Sequence, residues 1–212
     1  CWVCLVCACM VFDVNDSLSI YGSYTEIFKP QSAEDISGAL LDPEEGKNYE
    51  VGLKGEWFNG NLNGSIAIFE TVKDNLAIRD GQNTTPDGGW AYVAEDDAKT
   101  KGFEFELSGQ LADGWNLQGG YTYTASRSSD GELLYTTRPI RQFKLFTSYS
   151  PRSWPRLTLG GGINWQSEIY DTDYDAYGLR KYVTQKSYAL VNLMARYSFL
   201  SLIHISEPTR LG

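Results

Sequence analysis

Long runs of the chain alternate apolar and polar residues with a period of two. Phe103, Phe105 and Leu107 interleave with Glu104, Glu106 and Ser108. Trp115, Leu117, Tyr121 and Tyr123 interleave with Asn116, Gln118, Thr122 and Thr124. Leu157, Leu159, Ile163 and Trp165 alternate with Thr158, Asn164 and Gln166. Ala189, Val191, Leu193, Ala195, Tyr197 and Phe199 alternate with Tyr188, Asn192, Met194, Arg196 and Ser198, and Leu190 is the one apolar residue out of phase. The same pattern covers 18–24, 49–57, 62–68 and 143–149. A period of two places one set of side chains on each face of a sheet. The count is about eight strands of roughly 9–13 residues each, the length of a membrane-crossing strand. No window repeats at the helical period, so the reading is all-β.

The connections alternate too. Short turns fall at 58–61 (FNGN), 112–114 (ADG) and 150–155, with the Asn-Gly and Asp-Gly chemistry of hairpins. Long polar loops fall at 27–46, 73–100, 126–139 and 168–187. Strands of this length, with short turns on one side and long loops on the other, describe an antiparallel transmembrane β-barrel with short periplasmic turns and long extracellular loops. The mean hydropathy of −0.33 does not oppose this, because only every second residue of such a strand must be apolar. Aromatics gather at both strand ends: Trp57, Trp115, Tyr149, Trp154 and Phe199 by the short turns, and Tyr24, Tyr49, Tyr123 and Trp165 by the long loops. Two such bands match the girdles of a membrane interface. A soluble β-sandwich also alternates, but its strands are shorter, at about 5–6 residues. The net charge of −9 argues against nucleic acid as a partner.

The two ends differ from the rest. Cys1, Cys4, Cys7 and Cys9 are the chain's only cysteines, set in a low-complexity run. A zinc site of Cys4, Cys7 and Cys9 competes with a bland reading, in which residues 1–12 are an out-of-frame artefact. The bland reading is preferred, and no metal site is expected. Residues 201–212, beginning SLIHISEPTR, resemble the translation of a transposase-type sequencing adapter. Residues 13–200 are then the native stretch, without His or Cys, because His204 is the only histidine.

Several segments in order carry a resemblance. They are 19–31 (SIYGSYTEIFKPQ), 41–56 (LDPEEGKNYEVGLKGE), 61–75 (NLNGSIAIFETVKDN) and 101–109 (KGFEFELSG), with 161–167 (GGINWQS) and 187–197 further on. Together they resemble TonB-dependent outer-membrane ferric-siderophore receptors, the last two segments the ferric-coprogen and ferripyoverdine branch. The resemblance implies a 22-stranded barrel of which about eight strands from the later part are present, with the plug, the coupling box and the final strands missing. It further implies a parent that imports ferric siderophores across the outer membrane, driven by the inner-membrane TonB complex and embedded in lipid and lipopolysaccharide. A complete eight-stranded barrel with a structural or adhesive role, and a passive porin, are the competing readings.

Catalysis has little to work with. Without a native His or Cys there is no nucleophilic triad, and no phosphate-binding loop occurs. Glu104 and Glu106 share a polar face and are expected to line a hydrated lumen, with Gln118, Lys144, Gln166 and Arg196. Leu107, Leu159, Ile163, Val191 and Leu193 are expected to face lipid. A bulky, polar, often anionic chelate would be held by aromatic faces and a few donors. The candidates in loops and outer strand ends are Trp90, Tyr92, Tyr135, Arg138, Arg141, Trp165, Tyr170, Tyr174 and Tyr177. Asp42, Glu44, Glu45, Asp96 and Asp97 offer an alternative as divalent-cation ligands. No cofactor is expected, and the Asn83 sequon has no meaning in a bacterial setting.

Overall fold

The computed structural model describes residues 3–174 and 180–199. All the regular elements among them are strands. The main sheet follows β1 (Val3–Asn15), β2 (Leu18–Lys29), β3 (Glu44–Trp57), β4 (Leu62–Asp74), β7 (Ala98–Ala112), β8 (Trp115–Arg127), β10 (Arg141–Tyr149), β11 (Leu157–Gln166) and β14 (Tyr188–Tyr197). Each neighbour pairs antiparallel, and the two-residue β9 (Leu133–Leu134) adds to β8. The eight alternating segments are all present, and β1 adds a ninth strand that composition alone had set apart. Among the described residues β1 and β14 each pair on one side only, so the sheet does not close as the eight-stranded alternative requires.

The phase of the alternation holds across every pairing. Leu53 lies opposite Ile66, Ile66 opposite Phe105, and Phe105 opposite Tyr121. Further along, Leu145 faces Ile163, and Ile163 faces Val191. These residues share one apolar, outer face. Glu104 pairs with Thr122, Lys144 with Asn164, and Gly162 with Asn192, which builds a polar inner face from the same strands. The out-of-phase Leu190 sits opposite Asn164 on that inner face.

The outer face is open to solvent in a way no soluble core permits: Leu193 is 87% exposed, Val191 69% and Ile68 55%. A continuous apolar surface of this kind belongs against lipid. Aromatic residues close its two ends. Trp57, Trp115 and Tyr149 stand at the turn end, while Tyr24 and Tyr49 pack at 5.1 Å between ring centroids near the loop end.

The turns follow from their residues. Asn59 and Gly60 have φ of 56° and 84°, and the Asn61 amide donates to the Phe58 carbonyl, giving a type I′ turn. Beside it, Gly109 has φ of 137°, and a Cβ there would lie 2.0 Å from the Asn61 carbonyl oxygen. Only glycine allows β7 to approach this turn so closely.

At the other end the connections span 30–43, 75–97, 128–140 and 167–187, close to the expected loops, and carry structure of their own. The segment between β4 and β7 folds into a hairpin of β5 (Leu76–Thr84) and β6 (Trp90–Glu95). The segment between β11 and β14 contains β12 (Ile169–Tyr174) paired with β13 (Arg180–Gln185). Burial concentrates here: Ala91, Ala98, Leu76 and Ala125 are among the few buried apolar residues.

Candidate ligand-binding site

Strand alternation and loop length together place a cavity of about 850 Å³ on the inner face at the loop end. Its floor is a ladder of hydroxyls. Thr71 lies opposite Thr100, and Thr100 opposite Ser126, with their oxygens 2.8 Å apart. Thr122 and Thr124 continue the ladder, so every second residue of β8 from Thr122 to Ser126 offers a hydroxyl to the cavity.

The wall on the β2–β4 side is charged. Register sets Lys29 directly opposite Glu44, and Lys73 reaches the same carboxylate diagonally from β4. Glu44 Oε2 accepts from Lys29 at 3.2 Å, and Oε1 accepts from Lys73 at 2.7 Å. Glu44 is only 2% exposed, and a carboxylate this deep needs both cations to offset its desolvation.

The roof comes from the connection between β8 and β10. Leu133 and Leu134 pair onto β8, and a turn follows in which the Arg138 amide donates to the Tyr135 carbonyl. Tyr135 has φ of 55°, an uncommon conformation for an aromatic residue. The Arg138 guanidinium lies 4.9 Å from the Tyr135 ring centroid. Partial desolvation, and then the negative charge of Glu44, hold the Tyr135 phenol above its ordinary pKa, with Arg138 opposing.

Neighbouring loops are fastened around this cavity. Gln31 Nε2 donates to the Asn75 carbonyl at 2.9 Å and also to Asp42. Asn75 donates to the Pro43 carbonyl at 3.3 Å. Glu95, at the end of β6, accepts from both the amide and the hydroxyl of Ser129 at 2.8 Å. The Tyr170 amide donates to the Thr136 carbonyl, which joins the β12–β13 hairpin to the same rim.

The residues singled out from the sequence divide accordingly. Tyr135 and Arg138 line the cavity. Trp90 and Tyr92 belong to the β5–β6 hairpin, where the Arg79 guanidinium covers the Trp90 ring at 3.3 Å and the Tyr92 amide donates to Glu34. Tyr170 meets Tyr182 edge-on at 5.9 Å in the next hairpin. Tyr174 ends β12 opposite Arg180. Trp165 and Arg141 lie elsewhere: Trp165 pairs with Phe143 and Ala189 on the outer face, and Arg141 pairs with Tyr123 there. Tyr177 falls outside the described residues.

Three of the five acidic residues weighed as cation ligands have other partners for their side chains. Glu44 serves two lysines, Asp96 accepts from the Asn75 amide, and Asp97 pairs with Lys99 at 2.9 Å. No group of three metal-ligating side chains occurs among the described residues. Lys29 and Lys73 were not anticipated. Their signal was a lysine in the inward phase at the last residues of two strands, legible only once the register is known.

Comparison with known proteins agrees with this geometry. Residues 8–204 match the family model described as TonB dependent receptor-like, beta-barrel. The ferric-pyoverdine 358 receptor of Pseudomonas putida is 44% identical over 190 residues, covering 89% of this chain and 23% of that protein. The ferripyoverdine receptor of Pseudomonas aeruginosa is 42% identical over 204 residues, covering 92% and 25%. The crystal structure of that outer-membrane receptor bound to ferripyoverdine superposes with a TM-score of 0.83 at 42% identity, over 92% of this chain and 27% of the other. The alcaligin outer-membrane receptor of Bordetella pertussis gives 0.69 at 39% identity, over 92% and 32%. The chain thus spans about a quarter of the length of the curated relatives it matches. With a family match over nearly its whole length, on a sheet apolar outside and polar inside, the chain belongs to the TonB-dependent receptor β-barrels of the bacterial outer membrane.

Proposed function

We propose that the parent of this chain takes up a ferric siderophore across the outer membrane, with ferripyoverdine the first ligand to test. The observation that carries this reading is the cavity at the loop end of the inner wall, lined by hydroxyls and cations, in a chain 42–44% identical to ferripyoverdine receptors. A ferric chelate is large, polar and rich in oxygen acceptors. A hydroxyl ladder supplies donors, and an exposed Tyr–Arg pair supplies a flat, polar surface. Trp90, Tyr92, Tyr170, Tyr174 and Tyr177 on the adjoining loops would enlarge the contact, and Arg141 and Trp165 would contribute only at its outer rim.

On this reading the chelate passes inward beside a plug that packs on the inner face, and the TonB complex supplies the energy through that missing region. Lipid and lipopolysaccharide cover the outer face. Residues 13–200 are then the receptor-derived part, and sequencing the source locus across both ends tests that boundary. The family is one of transport receptors, and the reading assigns no catalytic step to the chain. The functional test is uptake of radioactive iron as ferripyoverdine by cells whose only such receptor is the full-length protein. Uptake that stops when TonB is deleted supports the reading. Uptake no higher than in cells without the receptor contradicts it.

A further inference from the structure

Among the described residues, the charged side chains on the cavity wall are Lys29, Glu44, Lys73 and Arg138. Among them, one carboxylate therefore stands against three cations, an excess of positive charge at one corner of a space lined elsewhere by hydroxyls and by apolar side chains such as Leu76, Leu133 and Ile140. Both Glu44 oxygens are turned to the lysines, at 3.2 and 2.7 Å, and the residue is almost wholly buried. It fixes the two ammonium groups in the wall.

Arg138 completes the corner from above. Its guanidinium stacks near the Tyr135 ring. Stacking uses the face of the guanidinium and leaves its N–H edge available for a planar acceptor. The turn that holds it is fixed by the Tyr135 backbone and followed directly by Pro139, so little backbone freedom needs to be lost on binding. In a ferric chelate the iron-binding oxygens are occupied by the metal, and what remains for a protein to discriminate is the pendant chemistry of the ligand. A neutral or basic pendant group gains nothing from an excess of positive charge, whereas an acidic one gains charge-assisted hydrogen bonds.

We infer that this corner selects chelates by an acidic pendant group, a carboxylate read by Arg138 together with Lys73 and Lys29. The inference rests on the reading that the cavity holds the chelate, and it adds the charge class of that chelate.

The test is equilibrium binding to the purified full-length receptor of two forms of ferripyoverdine, one with its side-chain carboxylate free and one with that carboxyl converted to the amide. The wild-type receptor is expected to favour the free acid by about tenfold, the worth of one charge-assisted contact. That preference should shrink as salt is raised. Arg138→Gln should remove most of the preference, read as the acid-to-amide affinity ratio, with the heat-modifiable folded band on gels checking that the variant assembles. Lys73→Gln should act in the same direction, and since its loss also strands Glu44, only the acid-to-amide ratio is read for it. A wild-type receptor that binds both forms equally overturns the inference and leaves the siderophore reading intact. So does an Arg138→Gln receptor that keeps the full preference. A wild-type receptor that binds neither form removes the ferripyoverdine reading and the inference with it.

Discussion

The outer and inner faces of this sheet are made by the same strands, one residue apart, yet they are built on opposite principles. Outside, branched and aromatic side chains are exposed, Leu193 and Val191 among them. Inside, polar residues are interrupted by glycines on which rings lie flat. Tyr21 covers Gly52, Phe69 covers Gly102, and Phe146 lies over Gly160 and Gly162. Tyr21 also donates its hydroxyl to Glu50 at 2.6 Å. On the outer face Trp57 also lies over Gly55 and Gly64, and Leu145 over Gly119, but Gly22 is open, the nearest atom to a Cβ there being the Glu50 carbonyl oxygen at 3.8 Å. The outer face is thus a solvent-matching surface for lipid, intolerant of charge and open to added volume at positions such as Gly22. The inner face is a fitted surface, tolerant of charge and intolerant of volume.

Substitutions in the full-length receptor can break this contrast. The largest effect is expected from Leu145→Arg, which puts a cation on the outer face midway along β10. It should cost about 2–4 kcal/mol and abolish assembly, read as loss of the heat-modifiable folded band on gels. The same test applied to Leu107→Arg checks a second strand, and normal assembly of either variant would reverse the assignment of the faces. Next comes Gly52→Val on the inner face, where a Cβ would lie 2.5 Å from the Tyr21 ring and 2.6 Å from the Ile66 carbonyl oxygen. Overpacking against backbone should cost about 1–3 kcal/mol in denaturant unfolding from vesicles. Tyr21→Phe keeps the ring over Gly52 and removes only the hydroxyl, so about 0.5–1.5 kcal/mol is expected in the same assay. Gly22→Val and Lys144→Gln should both stay within about 0.5 kcal/mol, the first because the outer position is open and the second because the inner face is hydrated. A Gly22→Val penalty as large as that of Gly52→Val would show that the faces are not packed differently.

Much of this was legible in the sequence, and the boundary is physical. Period-two alternation is a local signal, so the strands, their phase and the Asn59-Gly60 turn could be read directly. The alternation even placed Trp165 in the apolar set with Leu159 and Ile163. Its position beside a long loop nevertheless made it a vestibule candidate, and the register returns it to the outer face. What could not be read depends on contacts between distant segments. The β5–β6 hairpin does not alternate cleanly, and its partner strand is fixed by register rather than by pattern. Glu44 looked like one of several loop acids. Its burial follows from Lys29 and Lys73, which are brought to it only when three strands align. β1 was missed because its cysteine-rich composition masked a strand that pairs along the length of β2.

Strand β10 separates face from hydrophobicity most directly, because its alternation breaks: Phe146 shares the inner face with Gly162, and Thr147 shares the outer face with Leu117 and Gly161. Thr147 is accommodated there by the Trp115 indole, which donates to its hydroxyl at 2.8 Å, while the hydroxyl donates to the Asn116 carbonyl at 3.0 Å. The decisive measurement is a nitroxide scan of positions 143–148 in the full-length receptor in lipid vesicles, with any other cysteine replaced by serine, comparing access to oxygen with access to a polar nickel chelate. The account predicts preferential oxygen access at 143, 145 and 147, and its absence at 144, 146 and 148. Oxygen access that is high at 146 and low at 147, following side-chain polarity instead of register, would contradict it.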